Sequence, residues 1–402
     1  MDNSIDINSS IANKLTKAIE SNSRVSGHTH NFYRYPARFS PEFAKTMISS
    51  FTKRGDLVID PFIGGGTTAV EARALGRSII GIDINSLATF ISKSKTTLLD
   101  QNDIKNIDKW LHSIIKKLNL HRNKAQFNYD YIDYYKNINC KQTWPIKKTI
   151  QLCIDNIESL PSNNQRRFTR CALLNTAQWA LDSKTRIPSA SEFRVRFINN
   201  TKLMLESINK YSLVVKNADK DWSLNGLRRL KIINRSTDGI ENDNSILEYP
   251  SPKLILTSPP YPGVHVLYHR WQVKGRRETP APYWIANTLD GSGESYYTFG
   301  GRKENDLSTY YLNTYKIFKS LSYLSNEETH IIQLIAFSEP SWQLPLYLET
   351  LSDAGFKECK LNGISNNKDG RYWRIVPNRK WYANQKGATS SCKEVILIHK
   401  LK

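Results

Sequence analysis

Cysteine is scarce in this chain of 402 residues, which contains five in all. Their number is odd, their spacing is wide, and no two of them form a CxxC pair. They are Cys140, Cys153, Cys171, Cys359 and Cys392. A disulfide framework and a structural zinc site are therefore not expected, and the reducing cytoplasm is the predicted location.

Long apolar runs are missing as well. No stretch approaches the roughly 18 consecutive apolar residues that a membrane span requires. The opening "MDNSIDINSSIANKLTKAIE" lacks the basic and then apolar order of a secretory signal, so no membrane association is expected. Apolar residues at 39% and aromatic residues at 11% still predict a folded core, either one large domain with an insertion or two domains.

Acidic residues are too few to balance the basic ones. There are 57 Lys and Arg against 37 Asp and Glu, which gives a formal net charge of +20 spread along the chain. Such a field attracts polyanions, of which nucleic acid is the commonest large one. A basic protein need not bind anything, however, so charge alone leaves both interpretations open.

What the sequence does contain is a glycine-rich turn between two apolar segments, in "GDLVIDPFIGGGTTAVEARALGRSIIGIDIN". Residues 57–59 read as a short buried strand, 67–75 as a helix and 78–82 as a second strand. A strand, glycine turn, helix and strand within about 30 residues is the unit that builds parallel sheets. The predicted fold class is therefore α/β.

The glycine turn predicts a nucleoside-containing cofactor. Gly64, Gly65 and Gly66 allow a sharp turn and a close approach to the positive end of the next helix. Asp83 ends the second strand, where a carboxylate can accept the hydrogen bonds of a ribose diol. A P-loop would require a lysine after the glycines, and the chain has none there.

Two cofactor classes remain. A dinucleotide is formally allowed, because Gly64-x-Gly66-x-x-Ala69 satisfies a loose fingerprint. S-adenosylmethionine carries an ammonium and a carboxylate instead of a pyrophosphate. Asp60 suits the ammonium and would repel a pyrophosphate, while the hydroxyls of Thr67 and Thr68 can donate to the carboxylate.

The segment "DPFIGGGTTAVEA" resembles the cofactor loop of the DNA amino-methyltransferases, which methylate the N4 amine of cytosine or the N6 amine of adenine. Its departure from their usual pattern is Gly65 in place of serine. The resemblance implies S-adenosyl-L-methionine as cofactor and a Rossmann-like methyltransferase sheet closed by a terminal antiparallel hairpin. It also implies a set of cofactor-binding residues. These are Pro36, Arg38, Phe39, Asp60, Phe62, Gly64, Gly66, Thr67, Thr68, Asp83 and Asp238.

Two parts of that set, the upstream residues Pro36, Arg38 and Phe39 and the later Asp238, have simpler explanations. The upstream segment "HNFYRYPARFSPEFAKTMI" would pack on the methionine end of the cofactor, but it also reads as a helix start with Ser40 as N-cap and Pro41 in the first turn. Asp238 would contact the adenine ring, but it could equally be a solvent-facing turn aspartate.

A second motif, "KLILTSPPY", runs from a strand pattern into two prolines and an aromatic residue. By itself it is more often an ordinary end of a strand. In the family it resembles, this turn is the catalytic site, which here would comprise Ser258, Pro259, Pro260 and Tyr261. Acceptors at Ser258 and at the Pro259 carbonyl would hold a base amine, and Tyr261 would stack on a base swung out of the duplex.

The resemblance predicts a site-specific DNA methyltransferase, of a restriction-modification or related defence system, with double-stranded DNA and a cognate endonuclease as partners. Serine at position 258 resembles the N4-cytosine enzymes, with N6-adenine as the alternative. Methylation of an RNA base amine and a non-catalytic DNA-binding role are the further alternatives.

The predicted organisation has four parts. Residues 1–27 form a loosely held arm, and 28–99 with 226–402 form the catalytic domain. Residues 100–225 form a mainly helical insertion that could clamp DNA, and 263–305 form a loop region that could recognise the target. The predicted DNA contacts of that loop region are Arg270, Trp271, Lys274, Arg276 and Arg277. Basic residues of the insertion could face phosphates or form only a solvated face; they are Arg166, Arg167, Arg170, Arg194 and Arg196.

Overall fold

The computed structural model describes residues 4–5, 9–21, 25–36, 40–220, 229–262, 270–275, 277–291, 297–300, 307–375 and 393–402. Its strands are β1 (Ser4–Ile5), β2 (Leu57–Asp60), β3 (Ser78–Asp83), β4 (Leu230–Asn234), β5 (Leu254–Thr257), β6 (Trp271–Val273), β7 (Arg277–Thr279), β8 (His330–Ala336), β9 (Phe356–Leu361), β10 (Tyr372–Ile375) and β11 (Lys393–Leu401). Its α-helices are α1 (Ser9–Glu20), α2 (Pro41–Phe51), α3 (Thr67–Ala74), α4 (Ser86–Thr96), α5 (Gln101–Lys117), α6 (Trp144–Ile157), α7 (Asn163–Leu181), α8 (Ala190–Ala218), α9 (Asn244–Leu247), α10 (Ala281–Ala286), α11 (Ser308–Leu324) and α12 (Pro340–Asp353).

The main sheet has the strand order β1-β9-β11-β8-β5-β2-β3-β4, and β10 pairs with β11. Strands β8, β5, β2, β3 and β4 run parallel to one another. Strand β11 runs antiparallel to β8, β9 and β10. The predicted α/β fold, with a terminal antiparallel pair that closes the sheet, is confirmed.

The central strands are apolar along their whole length because helices cover both faces of the sheet. Every residue of β2 and β5 is buried. One face packs on α1, α2 and α3 through a core that includes Met47. The other packs on α11 and α12 through a core that includes Phe318. Strand β2 lies between β3 and β5, so the chain reverses its direction of travel there and opens a crevice at the carboxyl ends of the strands.

The N-terminal segment is part of the domain. Helix α1 is amphipathic and buries Leu15 and Ile19 in the core beneath the sheet. Strand β1 extends the sheet by pairing parallel to β9. The prediction of a loosely held arm is therefore wrong for these elements, because the apolar stripe of α1 covers a sheet face that α2 alone leaves open.

The apolar stripes of α5, α6, α7 and α8 are buried, as their spacing predicted. The expectation that the insertion has a core of its own is wrong, because the same cluster includes α4 and Phe32, Tyr33 and Tyr35 of the predicted catalytic domain. The hairpin β6–β7 and helix α10 belong to that same core, to which they contribute Trp271, Val273 and Trp284. The hairpin and α10 are thus packed against the insertion rather than forming an independent loop. None of the described helices is long and apolar enough to cross a membrane.

Candidate active site

A cavity of about 290 Å³ opens at the carboxyl ends of β2, β3, β4 and β5. The cofactor loop contributes Phe62 and Gly64, and the end of β3 contributes Asp83. The segment after β4 contributes Asp238, and the turn after β5 contributes Ser258. The topology therefore brings together five predicted site residues that are separated by almost 200 positions in the sequence.

The cofactor loop is held by hydrogen bonds to its own backbone. The N–H of Gly64 donates to Asp83 at 2.9 Å, and its carbonyl accepts from Ser92 at 3.0 Å. The buried ammonium of Lys95 donates to the Gly65 carbonyl at 2.7 Å. Gly66, with φ 76°, then begins α3 in the left-handed region that favours glycine.

Neighbouring protein atoms explain two of the three glycines. A Cβ at Gly65 would lie 2.8 Å from the Cβ of Tyr35, and one at Gly66 would lie 2.7 Å from the Oγ of Ser92. The sequence interpretation attributed the glycines to the approach of a ligand. In the structure, close packing of Tyr35 and α4 against the loop already requires them.

Asp60 has an internal role that the sequence interpretation missed. Its carboxylate accepts hydrogen bonds from Thr68 at 2.6 Å, Thr257 at 2.8 Å and the N–H of Phe62 at 3.1 Å. Burial raises its pKa to about 6. The carboxylate thus ties β2, α3 and β5 together.

This placement corrects the prediction of direct methionine contacts. Neither Asp60 nor Thr68 lines the cavity, and their side chains bond to each other. Gly66 and Thr67 also lie behind the lining, although the buried hydroxyl of Thr67 has no hydrogen-bond partner within the described part of the chain. The side chains of Asp60 and Thr68 bond within the protein and support the loop instead of lining the cavity.

Asp83 lies where a ribose-binding carboxylate was predicted. Its Oδ1 accepts from the N–H of Asn85 at 2.8 Å, and its Oδ2 accepts from that of Gly64. Each oxygen retains a further lone pair for a ligand hydroxyl. Burial raises the pKa of Asp83 to about 6. With Phe62 and Asp238 on the same cavity wall, the residues present fit the adenosine half of S-adenosylmethionine.

The segment before α2 contributes one residue that sequence reasoning missed. Tyr35 lines the cavity, whereas Pro36 does not. Arg38 and Phe39 lie outside the described residues. The simpler explanation of the following positions is confirmed, because the Ser40 side chain accepts from the N–H of Phe43 and caps α2.

The cavity has other walls that no local motif signalled. They come from the start of α4, from 297–299 and from α11, and include Asn85, Phe299, Asn313, Lys316 and Ile317. Their contribution depends on long-range packing. Phe62, for instance, meets Phe299 edge-on with ring centroids 5.6 Å apart.

The Ser-Pro-Pro-Tyr turn faces into the cavity with all four residues. The hydroxyl of Tyr310 donates to the Pro260 carbonyl at 2.9 Å, and that of Tyr261 donates to Glu394. The Ser258 hydroxyl and the Pro259 carbonyl make no hydrogen bond to any described residue. These two acceptors are the ones predicted to hold a base amine, and the fold leaves both available.

The residues predicted to contact DNA differ in their exposure and in their bonding partners. Trp271 is only 1% exposed and donates its indole N–H to Tyr33 at 2.9 Å, so the prediction that it contacts DNA is wrong in this structure. Arg270 is half-buried and makes an ion pair with Asp290 at 2.7 Å. Lys274 donates to Gln142. Arg277 is exposed, and Arg276 lies outside the described residues.

The arginines of the insertion mostly serve its own packing. Arg170 is buried and bonds to Glu158 at 2.6 Å and to the Ile285 carbonyl at 3.1 Å. Arg194 donates to the Leu118 carbonyl, and Arg196 lies over the ring of Trp179. Arg166 and Arg167 bond to side chains within α7. No cluster of three or more potential metal ligands occurs among the described residues.

Comparison with known proteins identifies similar sequences. A family model described as DNA methylase matches residues 10–94, which run from α1 to α4 and include the cofactor loop. The type II methyltransferase M.MvaI of Kocuria varians is 23% identical over 62% of this chain and 59% of its own length. The type II methyltransferase M.MjaII of Methanocaldococcus jannaschii is 33% identical over 22% of this chain and 16% of its own length.

A tRNA (guanine(10)-N2)-dimethyltransferase of M. jannaschii is 32% identical over 22% of this chain and 27% of its own length. Among solved structures, that of TrmN from Thermus thermophilus covers 91% of this chain and 50% of its own at 9% identity and a TM-score of 0.32, which supports no argument about function. The chain spans less than two thirds of the length of each of the three curated relatives. The matched DNA methylase region contributes Tyr35, Phe62, Gly64 and Asp83 to the cavity. The predicted resemblance to the DNA amino-methyltransferases, whose methyl donor is S-adenosylmethionine, is thereby confirmed.

Proposed function

We propose that this protein transfers a methyl group from S-adenosylmethionine to the exocyclic N4 amine of a cytosine swung out of double-stranded DNA. The observation that carries the proposal is the pair of hydrogen-bond acceptors at Ser258 and Pro259. They face the same cavity as Asp83, which we expect to hold the ribose of the cofactor. A methyl donor and an amine can therefore meet within one enclosure.

The residues of the turn act on the amine. Its lone pair is conjugated into the base ring, which makes it a poor nucleophile. Accepting its two hydrogens at the Ser258 hydroxyl and the Pro259 carbonyl draws the nitrogen toward a tetrahedral shape and directs the lone pair. The prolines restrict the backbone, so the Pro259 carbonyl keeps its direction. The hydroxyl of Ser258 can pass the proton lost after transfer to water.

The rest of the cavity positions the reactants. Asp83 accepts from the ribose hydroxyls, Phe62 flanks the adenosine, and Asp238 offers a polar contact to the adenine ring. Tyr261 stacks on the extruded base. Bound S-adenosylmethionine supplies a methyl group on a sulfonium, which is already a good leaving group, so placement contributes most of the acceleration.

The N4 assignment is based on Ser258, since a neutral acceptor resembles the N4-cytosine enzymes. The type II names of the relatives favour a restriction-modification setting, with an endonuclease as partner. Exposed Arg277 of β7 and the helical insertion would contact the DNA backbone. Methylation of an RNA base amine is the second candidate, because a relative named as a tRNA guanine dimethyltransferase matches part of the chain.

The decisive experiment is incubation with methyl-labelled cofactor and, in parallel, unmethylated DNA and total tRNA, followed by nucleoside mass spectrometry. N4-methylcytosine in the DNA is the expected product. N6-methyladenine as sole product would overturn the N4 assignment, and product in tRNA alone would overturn the DNA assignment. Ser258→Ala should lose product while retaining cofactor binding by calorimetry. Ser113→Ala, on the exposed face of α5, is the matched control and should keep full activity.

A further inference from the structure

Tyr261, the aromatic residue of the catalytic turn, is anchored by a carboxylate from the last strand of the chain, β11. The Tyr261 hydroxyl donates to Oε1 of Glu394, the second residue of β11. Tyr261 lines the cavity beside Ser258 and Pro259. A phenol that donates to a carboxylate makes a charge-assisted hydrogen bond, which is stronger and more directional than a neutral one. The direction of the ring is therefore set from β11.

Glu394 is itself fixed by a buried arginine. Its Oε2 accepts from Nε and Nη2 of Arg374, both at 2.8 Å, and the two side chains are only 7% and 6% exposed. The two residues are direct partners across the antiparallel pair of β10 and β11. This fork leaves Oε1 for Tyr261, so the carboxylate cannot rotate without losing a bond to Arg374.

The arginine extends the connection to the first helix. Arg374 Nη1 donates to the Ile19 carbonyl in the last turn of α1 at 3.0 Å. Its guanidinium lies over the ring of Phe43 in α2, 5.6 Å from the centroid. The same helix end receives a second bond, from the hydroxyl of Tyr372 to Glu20. A continuous chain of contacts thus runs from α1 through β10 and β11 to the catalytic turn.

We infer that Glu394 is a positioning residue for the transfer reaction: held by Arg374 and α1, it sets the ring of Tyr261 in the orientation that stacks on the extruded base. The inference rests on the proposed function, since it concerns the same turn. It adds a residue that lies 133 positions from Tyr261 and outside the Ser-Pro-Pro-Tyr motif. Glu394 does not line the cavity, so its effect passes through Tyr261.

The test is a double-substitution cycle. Tyr261→Phe keeps the stacking ring and removes only the hydroxyl, and Glu394→Gln keeps the side-chain volume and weakens the charge-assisted bond. Each should lower kcat/KM for DNA by about tenfold or more, the loss expected for one hydrogen bond to a charged group. Affinity for S-adenosylmethionine, measured by calorimetry, should change by less than about twofold, because the cofactor side of the cavity is untouched.

The combination of the two substitutions separates positioning from stability. If Glu394 acts through the Tyr261 hydroxyl, Glu394→Gln should cause no further loss of kcat/KM in the Tyr261→Phe background. Equal losses in both backgrounds, or full activity of Tyr261→Phe, would overturn the inference. Should Glu394→Gln fail to fold, Tyr261→Phe alone still decides the role of the hydroxyl. Failure of the wild-type protein to methylate any nucleic acid would instead overturn the proposed function.

Discussion

The carboxylate of Asp83 and the backbone N–H of Gly64 are joined by a hydrogen bond of 2.9 Å. The bond connects the end of β3 to the loop after β2 and places the carboxylate in the cavity wall. Because Asp83 also receives the N–H of Asn85, its position is set before any ligand binds.

Removing the charge of Asp83 should weaken cofactor binding. Asp83→Asn replaces an acceptor that can serve two ribose hydroxyls, and the loss should be about 10- to 100-fold in Kd for S-adenosylmethionine, as for hydrogen bonds to a charged group. Isothermal titration at pH 8 measures it. Asp130→Asn, on the exposed surface of the insertion, should bind normally, and equal affinity of both variants would contradict the role of Asp83.

Cofactor affinity should also depend on pH. The pKa of Asp83 is raised by burial to about 6, above its unfolded value, so the carboxylate gains a proton as the pH falls through 6. Above about pH 7 the ionised form accepts the ribose hydroxyls fully, and below pH 6 affinity should fall by up to about tenfold per unit. For the protein without cofactor, a fall in pH has the opposite effect. The free energy of unfolding should rise as Asp83 takes up its proton, since protonation relieves the cost of the buried charge. A flat profile between pH 5 and 8 for the wild type would exclude this explanation, and Asp83→Asn should show a smaller slope.

The internal role of Asp60 predicts a loss of stability in Thr257→Val. The substitution removes a buried hydroxyl that donates to Asp60 at 2.8 Å, and the free energy of unfolding should fall by about 1–3 kcal/mol. Urea unfolding measures the change. Thr350→Val, at a partly exposed position of α12, should cost less than about 0.5 kcal/mol. A cost at Thr257 no larger than at Thr350 would show that the tie between β2 and β5 is unimportant.

Alanine substitutions at Gly66 and Gly363 distinguish the cost of steric crowding from the cost of backbone strain. Gly66 and Gly363 have similar left-handed backbones, with φ of 76° and 84°, but a Cβ meets Ser92 at 2.7 Å only at Gly66 and finds no atom within 4 Å at Gly363. Gly363→Ala should cost about 1 kcal/mol of unfolding free energy. Gly66→Ala should cost more and should also weaken cofactor binding, because α4 or the loop must shift. Similar losses of unfolding free energy in the two variants would mean that the loop moves aside at little cost and that crowding at Gly66 is unimportant.

Substitution of exposed Arg277 and substitution of ion-paired Arg270 should have different effects on DNA binding and on stability. Arg277→Gln removes an exposed charge and, if it meets a phosphate, should lower the salt slope of DNA binding by about 1 with no change in melting temperature. Arg270→Gln removes the ion pair of Arg270 with Asp290 and should lower the melting temperature. Filter binding between low and moderate salt and thermal unfolding distinguish the two. The reverse pattern would invalidate the placement.

The local motifs predicted the strands, the cofactor loop and the catalytic turn because their residue types are dictated by local backbone geometry. Glycines at a tight turn, prolines after a strand and alternating or continuous apolar runs all act within a few residues. The same reasoning failed for Asp60 and Thr68, whose bonding partners include Thr257 from a distant strand. It failed for Trp271 because a mixture of basic and aromatic residues does not reveal which of them are buried.

By itself, the amino-acid sequence determined the α/β class, the order of the elements and the two motifs of the site, since these follow from short-range patterns. Only the tertiary structure decided which residues face the cavity. Tyr35 enters it from the segment before α2, Asn313 and Lys316 enter it from α11, and Glu394, which reaches Tyr261, is held through the pairing of β10 with β11. The physical reason is that side-chain contacts between remote segments depend on how helices and strands pack, and no local pattern in the chain records that packing.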